Sequence, residues 1–95
     1  MYEAKTELAK FLGPIIPLTA RFVAGEISGE DYEVAFFRLY QELPVTANEA
    51  LFEAGERYFG SVEDHVADEQ LREPGDVTTD QLREKARDLL RLAGM

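Results

Sequence analysis

Ser28-Gly29-Glu30-Asp31-Tyr32-Glu33-Val34-Ala35-Phe36-Phe37-Arg38-Leu39-Tyr40-Gln41-Glu42-Leu43-Pro44 decides the fold class of this chain. Tyr32, Phe36, Leu39, Tyr40 and Leu43 recur at spacings of 4, 3, 1 and 3. That is the period of one buried face of a helix. Ser28 accepts from the free amides of the first turn, and Glu30 and Asp31 complement the positive end of the helix dipole. Pro44 has no amide hydrogen and stops the helix.

Every other long segment repeats that period. Upstream, about Glu3 to Ala24 carries Leu8, Phe11, Leu12, Ile15, Ile16, Phe22 and Val23 as its apolar set. Gly13-Pro14 and Pro17 interrupt it, which predicts a kink or break near Gly13. Gly25 suits a left-handed C-terminal cap. Downstream, Thr46-Ala47-Asn48-Glu49 reads as a capping box for a third helix running to about Gly60. Its apolar side is Leu51, Phe52, Ala54, Gly55, Tyr58 and Phe59. Thr78-Thr79-Asp80-Gln81 is a second box. It opens a fourth helix with Leu82, Ala86, Leu89, Leu90 and Ala93 before Gly94.

The segment from Ser61 to Val77 is acidic, contains Pro74-Gly75 and is expected to begin with a short helix or turn. Strand-like alternation and internal repeats are absent from the sequence. With 95 residues, the chain is long enough for one modest core and is read as a single domain over residues 1–95. Short connections favour antiparallel neighbours. The expected fold is therefore all-α: an antiparallel four-helix bundle with a kinked or broken first helix.

Charge is distributed one-sidedly. Asn48 to Asp80 holds ten acids and two bases, Arg57 and Arg72, a local net charge of −8 in a chain of −9. Such a field attracts a basic partner and repels nucleic acid and anionic membrane. The alternative is a solvated acidic surface that aids solubility. Arg83, Lys85, Arg87 and Arg91 alternate with Glu84 and Asp88 and read as a mixed solvated face. There is no Cys, so neither a disulfide framework nor a thiolate metal site is possible, which fits a reducing cytoplasm. The N-terminus does not read as a signal peptide, and no stretch approaches the roughly 20 apolar residues of a membrane span.

Catalytic chemistry is sparse. The single histidine is His65, and the only serines are Ser28 and Ser61. A nucleophilic set would need Ser61, His65 and an acid such as Asp64, without a glycine elbow or an oxyanion site. His65 is expected on the surface or partly buried in a loop, titrating against acidic neighbours. Glu63, Asp64, Asp68 and Glu69 are hard oxygen donors, but the EF-hand pattern is missing. His65-x-x-Asp68 supplies only two zinc donors. The expectation is no enzyme, no cofactor and no metal.

What remains is an acidic surface with interleaved aromatics. Glu49, Glu53 and Glu56, at spacings of 4 and 3, share a helix face turned away from Leu51, Ala54 and Tyr58. Their steps, on the order of 5–7 Å, approximate the charge spacing of a phosphate backbone. Glu63, Asp64, Asp68 and Glu69 extend the charge. Tyr58 or Phe59 is an apolar anchor if exposed, since interface centres favour aromatics, and core packing is the alternative. The candidate partner-binding residues are Glu49, Glu53, Glu56, Tyr58, Glu63, Asp64, Asp68 and Glu69.

Three passages resemble a known family. Arg21-Phe22-Val23-Ala24-Gly25-Glu26-Ile27-Ser28-Gly29-Glu30-Asp31-Tyr32-Glu33 looks like the F-v-x-G-x-I-s-x-x-x-F/Y-e passage of small colicin D-type immunity proteins. Ala50-Leu51-Phe52-Glu53-Ala54-Gly55-Glu56-Arg57-Tyr58-Phe59 is similar to that family's L-F-x-x-x-[DE]-x-[YF] helix. Val77-Thr78-Thr79-Asp80-Gln81-Leu82-Arg83 matches its capped final helix. The resemblance spans roughly Ala20 to Leu92. It implies a four-helix bundle that binds the catalytic domain of a cognate bacterial toxin. Colicin D-like toxins cleave tRNA with a basic active site, which the immunity protein blocks with acids in place of RNA. The family's acid falls on Glu56, and beyond it on Asp64. Pro14 and Pro17 depart from a smooth first helix. The implied protein is a cytoplasmic toxin inhibitor that contacts neither nucleic acid nor membrane and is monomeric when bound to its toxin. The second reading is an acidic helical adaptor or nucleic-acid mimic that regulates a DNA-binding protein.

Overall fold

The computed structural model of the chain describes residues 4–43 and 48–94. Among the described residues the fold is all-helical, with five α-helices and one 3-10 turn. The helices are α1 (Ala4–Leu12), α2 (Ile15–Val23), α3 (Gly29–Tyr40), α4 (Glu49–Glu63) and α5 (Thr79–Leu92). Five stand where four were expected because the first segment is fully broken. Gly13 adopts a left-handed φ of 49°, which ends α1. Pro14 then caps α2, and Pro17 falls in its first turn, where a missing amide hydrogen costs nothing.

The other helix ends follow local chemistry. Gly25, at φ 80°, closes α2 with paired bonds from Glu26 N to Arg21 O and Gly25 N to Phe22 O, a Schellman cap. The Ser28 hydroxyl accepts from Asp31 N at 3.1 Å. Thr78 and Gln81 form the expected reciprocal box, at 3.0 and 2.9 Å. The third expected helix differs. Its cap is Asn48, whose Oδ1 accepts from Ala50 N and Leu51 N; Thr46 and Pro44 lie outside the described residues. It also runs past Gly60 to Glu63, because Val62 continues the buried row of Gly55 and Tyr58.

The core sits where α2 meets α3 and α5. Phe22 stacks on Tyr32 with centroids 4.4 Å apart and planes at 6°, and Phe36 packs edge-on against Tyr58 at 5.5 Å. Leu82, Ala86 and Leu89 close the core from α5. One hydroxyl chain crosses it: Thr19 Oγ1 to Tyr32 OH at 2.8 Å, and Tyr32 OH to Tyr58 OH at 2.6 Å. It satisfies three polar atoms that burial would otherwise strand. Burial pushes the Tyr32 phenol up to about 12, against the smaller opposing pull of its bonds to Thr19 and Tyr58. Burial, and then the neighbouring Tyr32, raise Tyr58 well above the usual phenol range.

The link between α4 and α5 does not begin with a separate helix; its first residues complete α4. An isolated parallel bridge joins His65 to Val77, with Val66 N donating to Val77 O and Val77 N to Asp64 O. The 3-10 turn, Glu69–Leu71, follows. Arg72 then folds back, donating to Val66 O at 3.1 Å and Ala67 O at 3.2 Å. The acidic link is thereby tied to the end of α4.

Candidate protein-binding surface

Burial of Gly55, Tyr58 and Val62 orients α4. The helical period then turns Glu49, Glu53 and Glu56 outward, and all three are exposed. Glu63 and Asp64 continue from the C-terminal end of α4, and Asp68 and Glu69 stand on the 3-10 turn; these four are exposed too. Among the described residues no Lys or Arg pairs with any of the seven. Four bases pair with acids elsewhere, Arg21 with Glu26 on the α2 side and three along α5. Arg83 pairs with Asp80 at 3.3 Å, Arg87 with Glu84 at 3.1 Å and Arg91 with Asp88 at 2.7 Å, each three residues apart. Three of the four bases of α5 are thus paired within the helix, while the acids of α4 and the link project into solvent.

Two of the acids sit against the helix dipole. Glu63 is the last residue of α4 and Asp64 its C-cap, with no base in the last turn. Carboxylates at the negative end of a helix are unfavourable by roughly 0.3–1 kcal/mol each. Glu56 is held in place: the Tyr40 hydroxyl donates to its Oε2 at 2.5 Å. Burial first, and then this carboxylate, raise the Tyr40 phenol, so it stays protonated and remains a donor. Gly55 makes the approach possible. A Cβ there would lie 3.2 Å from the Tyr40 hydroxyl and 3.3 Å from the Phe11 ring.

Of the two sequence readings of Tyr58 and Phe59, anchor or core, the structure has core packing. Tyr58 is 6% exposed and its hydroxyl is taken by Tyr32, so it is a core residue rather than an anchor. Phe59 packs against Phe37 and Tyr40 of α3. Phe52, expected on the apolar side, is 53% exposed. It lies on the flank of α4, rotated away from the Gly55–Tyr58–Val62 row.

His65 is also corrected. Its side chain is 1% exposed; Nδ1 lies 3.1 Å from Glu33 Oε1 and Nε2 2.8 Å from Thr79 Oγ1. Gly29 is required beside it, since a Cβ there would come 2.9 Å from the ring. The imidazole joins α3, the bridge and the start of α5. Ser61 takes no part, because its hydroxyl donates to Arg57 O. The Thr79–His65–Glu33 order is that of a nucleophile, base and orienter. Thr78 N is occupied by Gln81, and Asp68, Glu69 and Asp80 line the hollow at Thr79 together with Arg72. Among the described residues no three carboxylate or imidazole groups converge as a metal site. No helix there is long and apolar enough to cross a membrane.

The signals missed in the sequence are those of tertiary partners. Thr19 and Val77 are buried although neither belongs to a periodic apolar set, and His65 lies outside any helix. The groove between α4 and α5 carries Arg57 and Lys85 and forms no part of the acidic face.

No match was found among curated proteins or among solved structures. Residues 12–92 match the family described as bacterial self-protective colicin-like immunity. That match spans most of the sequence, and the chain belongs to the colicin-like immunity family.

Proposed function

We propose that this protein binds the nuclease domain of a cognate toxin and inhibits it by covering the basic active-site cleft with the acidic face of α4 and the following link. The carrying observation is the set of seven exposed carboxylates that pair with no Lys or Arg among the described residues: Glu49, Glu53, Glu56, Glu63, Asp64, Asp68 and Glu69. Two of them are placed against a helix dipole, a local cost that a basic partner removes. The toxin is inferred to be a colicin D-like, tRNA-cleaving nuclease, since such a cleft must bind a polyanion. Opposed charge steers association, and the desolvated centre of the interface sets the slow dissociation. With α1 and α2 counted as one broken helix, the working architecture is an antiparallel four-helix bundle. The protein acts in the cytoplasm as a monomer on its toxin and performs no catalysis. Membership of an immunity family favours a toxin over a DNA-binding protein as the target.

The test is co-purification with the nuclease domain encoded beside this chain, followed by inhibition of tRNA cleavage. Stoichiometric inhibition by the wild type and none by Glu56→Lys is the expected result. Inhibition that survives Glu56→Lys and Asp64→Lys together overturns the charge mechanism.

A further inference from the structure

Phe52, Glu56 and Gly60 follow one another at intervals of four residues along α4. They form a single row, about 12 Å long at 1.5 Å per residue, on the outer flank of the helix. Each member is hard to explain inside the monomer. Phe52 leaves 53% of its surface in water and is the only exposed aromatic among the described residues. Glu56 is fixed by Tyr40 yet meets no base among the described residues. Gly60 is helical, and a methyl there would touch nothing within 4 Å. Glycine in a helix interior is less stable than alanine, and neither a turn nor a close approach within this chain requires it.

Resting on the toxin-binding reading above, we propose that this row is the centre of the interface. Phe52 inserts into an apolar pocket on the rim of the nuclease's basic cleft, Glu56 meets a cation of the cleft, and Gly60 is the flat spot where the partner's surface approaches the helix most closely. Charge complementarity specifies the occupant. Glu49 and Glu53 flank the row, and Glu63 and Asp64 lie beyond it, so an apolar pocket that receives Phe52 must be framed by bases. An aromatic ring inside a charged rim is the arrangement in which a few residues dominate affinity.

The experiment uses the full chain and a catalytically inactivated nuclease domain from the adjacent gene, with binding kinetics and thermal melting measured for each variant. Phe52→Ala and Phe52→Gln should each weaken binding at least tenfold, mainly through faster dissociation, with no drop in melting temperature. Gly60→Ala should raise the melting temperature and weaken binding at least tenfold, a pair of opposite signs that a purely structural glycine does not produce. Val34→Ala, at an exposed apolar position on α3 outside the acidic face, should bind within twofold of wild type. Phe52 and Gly60 variants that bind within twofold, while Glu56→Lys abolishes binding, overturn the row and leave the acidic-face reading standing. A lower melting temperature in Gly60→Ala also overturns it. If Glu56→Lys binds like wild type, the acidic-face reading fails as well.

Discussion

The Tyr40 hydroxyl donates to Glu56 Oε2 at 2.5 Å, tying the end of α3 to the outer flank of α4. The bond leaves the carboxylate exposed while removing much of its rotational freedom. A charge already held in its binding geometry loses less entropy when a partner arrives. Tyr40→Phe should therefore weaken toxin binding by about threefold to tenfold, while folding stability falls by only about 0.5–1.5 kcal/mol, the net value of one hydrogen bond. Urea unfolding and binding kinetics on the same preparations separate the two effects. Unchanged affinity would show that Glu56 needs no such support.

Charge reversal should discriminate between faces. Glu56→Lys or Asp64→Lys places like charge against a basic cleft, which costs several kcal/mol of binding and should abolish protection with helix content intact. Glu84→Lys, on the internally paired surface of α5, and Glu7→Lys on α1 should be nearly silent. Growth protection of the four variants side by side is the measurement. Protection by the first pair with failure of the second would move the interface to another face.

Association should slow steeply between low and physiological ionic strength, because screening at about 0.15 M shortens the reach of these charges to roughly 8 Å. Stopped-flow association rates at graded salt check this. A flat salt profile counts against steering even if the complex is tight.

Alkaline pH should unfold the protein before ordinary surface groups would account for it. The Tyr32 phenol is raised to about 12, whereas in the unfolded chain it ionises near 10. A raised folded value means that the stabilisation is fully present below about pH 10 and is lost as pH climbs toward 12. Urea midpoints measured from pH 8 to 11.5 should fall over the upper part of that range. Tyr32→Phe should flatten the decline while costing about 1–3 kcal/mol at neutral pH, since the Thr19 and Tyr58 hydroxyls then lose a partner. An equally steep decline in Tyr32→Phe would assign the alkaline transition to other groups.

Truncating Phe36 or Leu82 to Ala should cost about 2–5 kcal/mol each, as both side chains are fully buried and leave cavities. His65→Ala should also destabilise, by about 1–3 kcal/mol, because Glu33 and Thr79 lose a shared buried partner. Chemical denaturation reads all three. Losses below about 0.5 kcal/mol at Phe36 and Leu82 would mean that the buried faces are misplaced.

Local chemistry in the chain itself determined the helices, most of their ends and the acidic stretch. A left-handed glycine, a serine or threonine cap and a 3–4 apolar period act over one or two turns, so they are written within a few neighbouring residues. Ser28, Gly25 and the Thr78–Gln81 box behave as their sequence implies, and so does the outward set Glu49, Glu53 and Glu56. Only the tertiary structure decided which aromatic faces water. Tyr58 and Phe52 both lie in the apolar pattern of α4, but α4 packs along the line of Gly55, Tyr58 and Val62. A rotation of that line by less than a quarter turn would exchange their exposure. His65 likewise has no local pattern to reveal it. Its burial comes from Glu33, 32 residues earlier, and Thr79, 14 residues later. Hydrogen bonds across such separations depend on the path of the whole chain, and no short window of sequence contains it.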